Sequence, residues 1–220
     1  MDNNKLKKVW PLLKKQVKSL NMPWLEQMVQ RDPERDPFKV LISCLLSLRT
    51  QDRTTGAATE RLFKLARNPE KMSGLSIKRI EKEIYPVGFY KVKAKRIREI
   101  CRVLMQKYNS IVPDNIEELL TFKGVGRKTA NLVITLGYGK PGICVDTHVH
   151  RITNRWGYVK TKTPEKTEYA LRDRLHSKYW LEINGLLVAF GQGICRPVSP
   201  LCSKCDISVF CDRVGVGIHR

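Results

Sequence analysis

No stretch of this 220-residue sequence approaches the ~20 consecutive apolar residues of a membrane-spanning helix, so a membrane protein is not expected. The first twenty residues, MDNNKLKKVWPLLKKQVKSL, lack an apolar run ending in a small-residue cleavage site, and no secretory signal is expected. Turn-bounded runs of alternating apolar and polar residues are missing, which argues against a sheet and for an all-α fold. Repeats of fixed period and low-complexity segments are missing as well. Seven cysteines, an odd number, with no secretion signal argue against a disulfide framework and for a reducing compartment, the cytoplasm. Acidic residues are scarce. Only 21 Asp and Glu stand against 41 Lys and Arg, a formal charge of +20.

That excess selects a polyanionic partner, nucleic acid before an anionic membrane surface. A ribosomal-type or thermophile protein shows the same balance, so charge alone does not decide. The cations never gather into one long block and therefore decorate a folded surface. At this length the chain forms one large domain or two small ones with a substantial core. Its apolar residues recur at helical spacing in 38–51, 54–66, 76–84, 93–108 and 115–120, with Asp114 a candidate cap for the last. Leu6, Val9, Trp10, Leu13, Val17 and Leu20 mark an N-terminal amphipathic helix, best read as packing on a core. Pro11 must fall in its first turns or kink it.

Cys44, Cys101 and Cys144 lie in apolar surroundings as buried thiols. The other four crowd the tail as Cys195-x6-Cys202-x2-Cys205-x5-Cys211. Short loops between thiolates let all four reach one soft metal centre. Three short unequal gaps with a single CxxC favour a [4Fe–4S] cluster; a zinc site and unliganded thiols are the alternatives. Arg196 and Lys204 lie within these loops, so a fixed basic finger for phosphates would follow.

In LLTFKGVGRKTANLVITLG, Gly124 and Gly126 sit between two apolar helical segments. Two glycines let the backbone turn tightly and bring its N–H groups to an oxygen anion, and the next helix adds its positive end. That describes a helix-hairpin-helix gripping a phosphate through Lys123, Gly124, Val125, Gly126 and Arg127; the plainer reading is an interhelical turn. Lys128 points away from the buried stripe of its helix, and an ordinary lysine with a pKa of ~10.4 is a poor nucleophile. Phosphate contact and chemistry both remain open for it. Asp146 follows eighteen residues later, ahead of Val149, Ile152 and Trp156. It suits a helix N-cap, and a carboxylate fixed in that way is also well oriented for catalysis. His148 and His150 have no further ligands spaced around them, so no metal is expected there.

GVGRKTAN, then VDTHVHR, then the four-cysteine tail, in that order, closely resemble the endonuclease III family of DNA glycosylases. The similarity runs from about residue 30 to 212. The resemblance implies two helical lobes with the active site in the cleft between them. One lobe is a six-helix domain, roughly 36–143, holding the helix-hairpin-helix. The other combines 1–35 with 144–220 and carries the iron–sulfur cluster loop. It further implies Lys128 and Asp146 as catalytic residues, and Cys195, Cys202, Cys205 and Cys211 as ligands of a [4Fe–4S] cluster. The implied activity is a bifunctional DNA N-glycosylase and AP lyase in base excision repair, taking oxidised pyrimidines such as thymine glycol and nicking by β-elimination. Its partner is double-stranded DNA with a damaged base or abasic site, and a monomer suffices.

Two departures stand out. Phe122-Lys123 replaces the family's usual Leu-Pro before the glycines, adding a cation near the phosphate. Arg49 stands where a glutamine commonly fills the gap left by the flipped base, with Gln51 two residues on, so both are candidates. The segment 88–97 resembles a second family loop, which assigns Lys93 to a phosphate. A mismatch glycosylase of the same fold and a non-catalytic helix-hairpin-helix DNA-binding protein are the rival readings. The adenine-specific mismatch enzymes normally carry an extra C-terminal domain, whereas this chain ends nine residues after Cys211.

Overall fold

The computed structural model describes residues 1–32 and 34–220, which form an all-α structure with no strand among them. No helix among these residues is long and apolar enough to cross a membrane. The chain divides into two compact units, one of Met1–Pro23 with Ile143–Arg220 and one of Trp24–Gly142. Helix α1, Asn3–Val17, is started by Asp2, whose carboxylate accepts the Lys5 N–H at 2.7 Å. Leu6, Val9, Trp10, Leu13 and Val17 form its buried stripe. Pro11 lies within the helix, on its exposed side, and forgoes one backbone bond there.

The continuous unit opens with α2, Trp24–Arg31, which the sequence reading had grouped with the termini. Its packing explains the placement. Trp24 lies so close to Gly56 that a Cβ there would stand 2.4 Å from the indole nitrogen, and the buried Ser43 hydroxyl donates to Met28 Sδ. Helix α3, Pro37–Ser47, is buried continuously from Val40 to Leu46 and runs through the middle of the unit. Asp36 accepts the Phe38 and Lys39 N–H groups, and Pro37 suits the first turn. The helical spacing ran on to Gln51, but α3 ends at Ser47. Arg49 then turns with a φ of 52° before α4, Asp52–Leu65, begins.

Around α3 pack α2, α4, α7 (Tyr90–Lys107) and α9 (Arg127–Leu132), while α5 (Pro69–Gly74) and α6 (Ile77–Ile84) pack on α7 and α8 (Ile116–Leu120) on α9. Asn115, not Asp114, caps α8: its side chain accepts the Glu118 N–H at 3.2 Å, while Asp114 pairs with Lys140. Helix α9 passes directly into a π-helical turn, Val133–Gly137, whose wider coil brings Gly137 against Pro37.

The discontinuous unit resumes with α10 (Thr147–Arg155), α11 (Pro164–Arg174) and α12 (Trp180–Gly193). Its core joins the α1 stripe to Val149, Ile152, Trp156, Leu187 and Phe190, with Ile207 from the tail. Trp10 donates its indole N–H to Glu182, which also pairs with Lys14 at 2.7 Å, so α1 is tied to α12 by polar contacts at its edge.

Candidate active site and metal centre

The glycine hairpin forms as its residue types require. Phe122 and Val125 are buried, and the Val125 N–H donates to the Phe122 carbonyl at 2.9 Å. Gly124 has a φ of 90°, a backbone that favours glycine, and a Cβ there would press on the Arg96 guanidinium. Gly126 occupies the N-cap of α9 with open space where a side chain would stand. A helix start of this kind offers backbone N–H groups to an outside anion. Lys123 is exposed beside Glu99 at 3.9 Å, a weak pairing across solvent. Arg127 and Lys128 form the first turn of α9. Lys128 is exposed, and its charge reaches the buried Cys44 thiol beneath.

Asp146 is held firmly. It is 8% exposed and caps α10, with Oδ1 accepting the His148 N–H at 2.8 Å and the Val149 N–H at 3.0 Å. The segment leading to it is anchored by the buried Asn184 amide, which donates to the Cys144 carbonyl. His150 meets the Thr167 hydroxyl, and the His148 ring meets Arg151.

Arg49 and Gln51 both lie exposed on the turn after α3. The Arg49 guanidinium rests 5.6 Å from the centre of the Phe89 ring, whereas Gln51 starts α4 without a side-chain cap. Lys93 does not reach the surface, and its phosphate assignment is corrected. It is 5% exposed, with its ammonium donating to the Leu46 and Leu48 carbonyls. Arg196 and Lys204 are exposed as expected.

The four tail cysteines line one partly open pocket, together with Trp156, Phe190 and Ile194. The Arg155 guanidinium donates to Cys195 Sγ and the Arg213 N–H to Cys211 Sγ, each at 3.4 Å. Burial, reinforced by the three neighbouring cysteines, pushes the Cys205 thiol up to about 12. Without a metal the Cys205 thiol stays protonated; a metal-bearing group would replace that proton and be held by the resulting thiolate. The donor set and its hydrogen-bonded sulfurs fit a soft, metal-bearing group. Cys44, Cys101 and Cys144 are buried cysteines in no disulfide, as their surroundings suggested.

A family model for HhH-GPD superfamily base excision DNA repair proteins matches residues 42–177. Endonuclease III of Thermotoga maritima is 48% identical over 84% of this chain and 89% of its own. The chain belongs to the endonuclease III family. A solved endonuclease III trapped as a covalent intermediate with DNA superposes with a TM-score of 0.76 at 32% identity, over 91% of this chain and 96% of that one. A thermostable thymine-DNA glycosylase superposes with a TM-score of 0.83 at 25% identity, covering 96% and 97%.

Within this endonuclease III fold, sequence reasoning missed two arginines. Arg155 is buried and donates to the Arg196 and Pro197 carbonyls at 2.7 Å, besides its bond to Cys195. Arg151 donates to the Cys195 carbonyl at 2.9 Å. Together they fasten the entry to the cysteine tail onto α10. A signal was present for Arg155: it continues the Val149, Ile152 stripe, and a cation on an apolar stripe needs a buried partner.

Proposed function

We propose that this protein is a bifunctional DNA N-glycosylase and AP lyase of base excision repair, acting on duplex DNA that carries an oxidised pyrimidine. The observation that carries the reading is Lys128, exposed on the first turn after the glycine hairpin in a family with a member trapped covalently on DNA. The damaged nucleotide is flipped out, at an unstacking cost of a few kcal/mol that is smaller for a damaged base. Gly124 to Arg127 and Lys123 hold a phosphate of that strand. Lys128 Nζ, as the free amine, bonds to C1′ as the N-glycosidic bond breaks; the base leaves with the electron pair and takes up the proton that the new ammonium releases. Asp146 stabilises the positive charge that develops on the sugar. Opening of the sugar gives an imine; loss of a C2′ proton then expels the 3′ phosphate by β-elimination.

The four cysteines would hold a [4Fe–4S] cluster, a redox-active and rigid group whose part here is to brace the tail that presents Arg196 and Lys204 to phosphates. Purified protein is expected to be brown, with broad visible absorbance and about four irons and four sulfides per chain. A colourless preparation holding one zinc would overturn that assignment. Sodium borohydride on abasic-site duplex should give a covalent complex with the parent protein and none with Lys128→Ala. A parent that fails to trap would sink the lyase reading and leave a DNA-binding module. The likeness to a thymine-DNA glycosylase favours a mismatched thymine as the second substrate reading. Duplexes carrying single defined lesions separate the two.

A further inference from the structure

The turn 48–50 and the turn 86–89 are joined by one buried cation. Lys93, in the first turns of α7, places its ammonium 2.8 Å from the Leu46 carbonyl, 2.6 Å from the Leu48 carbonyl and 3.3 Å from the Thr50 hydroxyl. The last carbonyls of a helix lack partners within it, and a cation there also meets the negative end of the helix. A lysine from a different helix thus caps α3. The same Thr50 hydroxyl accepts the Gly88 N–H at 3.2 Å. Gly88 lies so near the Arg49 carbonyl that a Cβ would stand 2.6 Å from it. The two turns are therefore packed backbone against backbone.

Their outer face is not built for burial. Arg49 and Phe89 both take left-handed backbone, with φ of 52° and 57°, and Phe89 is 61% exposed. A guanidinium resting on an aromatic ring makes a flat surface suited to stacking on a base. Beside it lies an open cleft of about 370 Å³ lined by Leu48, Val92, Arg96 and the stem of Lys93 with that pair. Non-glycine residues keep a left-handed backbone only where the surroundings impose it.

We propose that Lys93 is a positioning residue, whose ammonium locks the two turns so that Arg49 and Phe89 meet the DNA as one rigid pair during base extrusion. This rests on the glycosylase reading above. Burial pushes Lys93 down to about 8, so at neutral pH its charge and donors are largely kept. Lysine with two backbone carbonyls and a hydroxyl around it is satisfied inside the protein, which is why it contributes order and not phosphate binding.

The test uses the full protein on two substrates: a thymine glycol duplex, which demands extrusion, and single-stranded DNA with an abasic site, which does not. Lys93→Met should slow base removal from the duplex by about tenfold to a hundredfold, as expected for a displaced positioning group. Cleavage of the single-stranded substrate should stay within about twofold. Thr50→Val, which removes only the hydroxyl, should give a smaller loss confined to the duplex. Equal losses on both substrates, or no loss on either, would overturn the proposal. A parent protein that cleaves neither substrate would instead sink the glycosylase reading itself.

Discussion

Glu26 sits in the first turn of α2, and burial pushes its carboxyl up to about 7. The folded state then keeps a proton that the unfolded chain, titrating near 4.5, releases. Stability from this group is full below pH 4.5 and is lost as pH rises through 7. Above that, the charge on this partly buried carboxylate costs the fold on the order of 1–3 kcal/mol. Glu26→Gln should therefore raise the melting temperature at pH 8 and leave it nearly unchanged at pH 4.5. Equal shifts at both values would contradict desolvation of this carboxylate as the cause. At this scale the sequence was unevenly legible. Asp146 as a cap, and Lys128 on the outer side of its helix, follow from neighbours within a few residues. Lys93 did not, because its acceptors lie more than forty residues away at Leu46 to Thr50. Arg155 likewise answers to carbonyls of Arg196 and Pro197.

The hairpin joining α8 to α9 separates two duties between its glycines. Gly124 holds the turn, with a φ of 90°, and Gly124→Ala should destabilise the fold by about 1–2 kcal/mol. Gly126 stands in open space at the N-cap, so Gly126→Ala should cost under about 1 kcal/mol. A methyl group there obstructs a phosphate approaching the helix start, so that variant should still bind DNA less well. Thermal melts alongside duplex titrations check the split; a large stability loss at Gly126 would contradict it. Helical spacing located most helices because burial of one stripe imposes it. The end of α3 at Ser47 was hidden, since apolar spacing continues while the backbone breaks to meet Lys93 and Gly88. The cap of α8 slipped by one residue for a related reason, Asp114 being drawn away by Lys140.

Across the molecule, the +20 charge is spread over the surface of both units rather than held in one tail. Affinity for undamaged duplex should then fall by at least about tenfold between ~50 and ~200 mM salt, as counterions released on binding become harder to free. An affinity independent of salt would remove phosphate contact as the source of binding. The family was legible in the sequence because three motifs, from 124 to 211, keep one order along the chain. The membership of 24–35 in the continuous unit was not, as it depends on Trp24 meeting Gly56.

Peptide mapping of the borohydride-reduced DNA adduct tests the central claim most directly. Digestion and mass spectrometry should find the sugar remnant on the peptide carrying Lys128, and that lysine alone should be modified. An adduct on another amine, such as the Met1 ammonium that here rests on Asp212, would contradict Lys128 as the nucleophile.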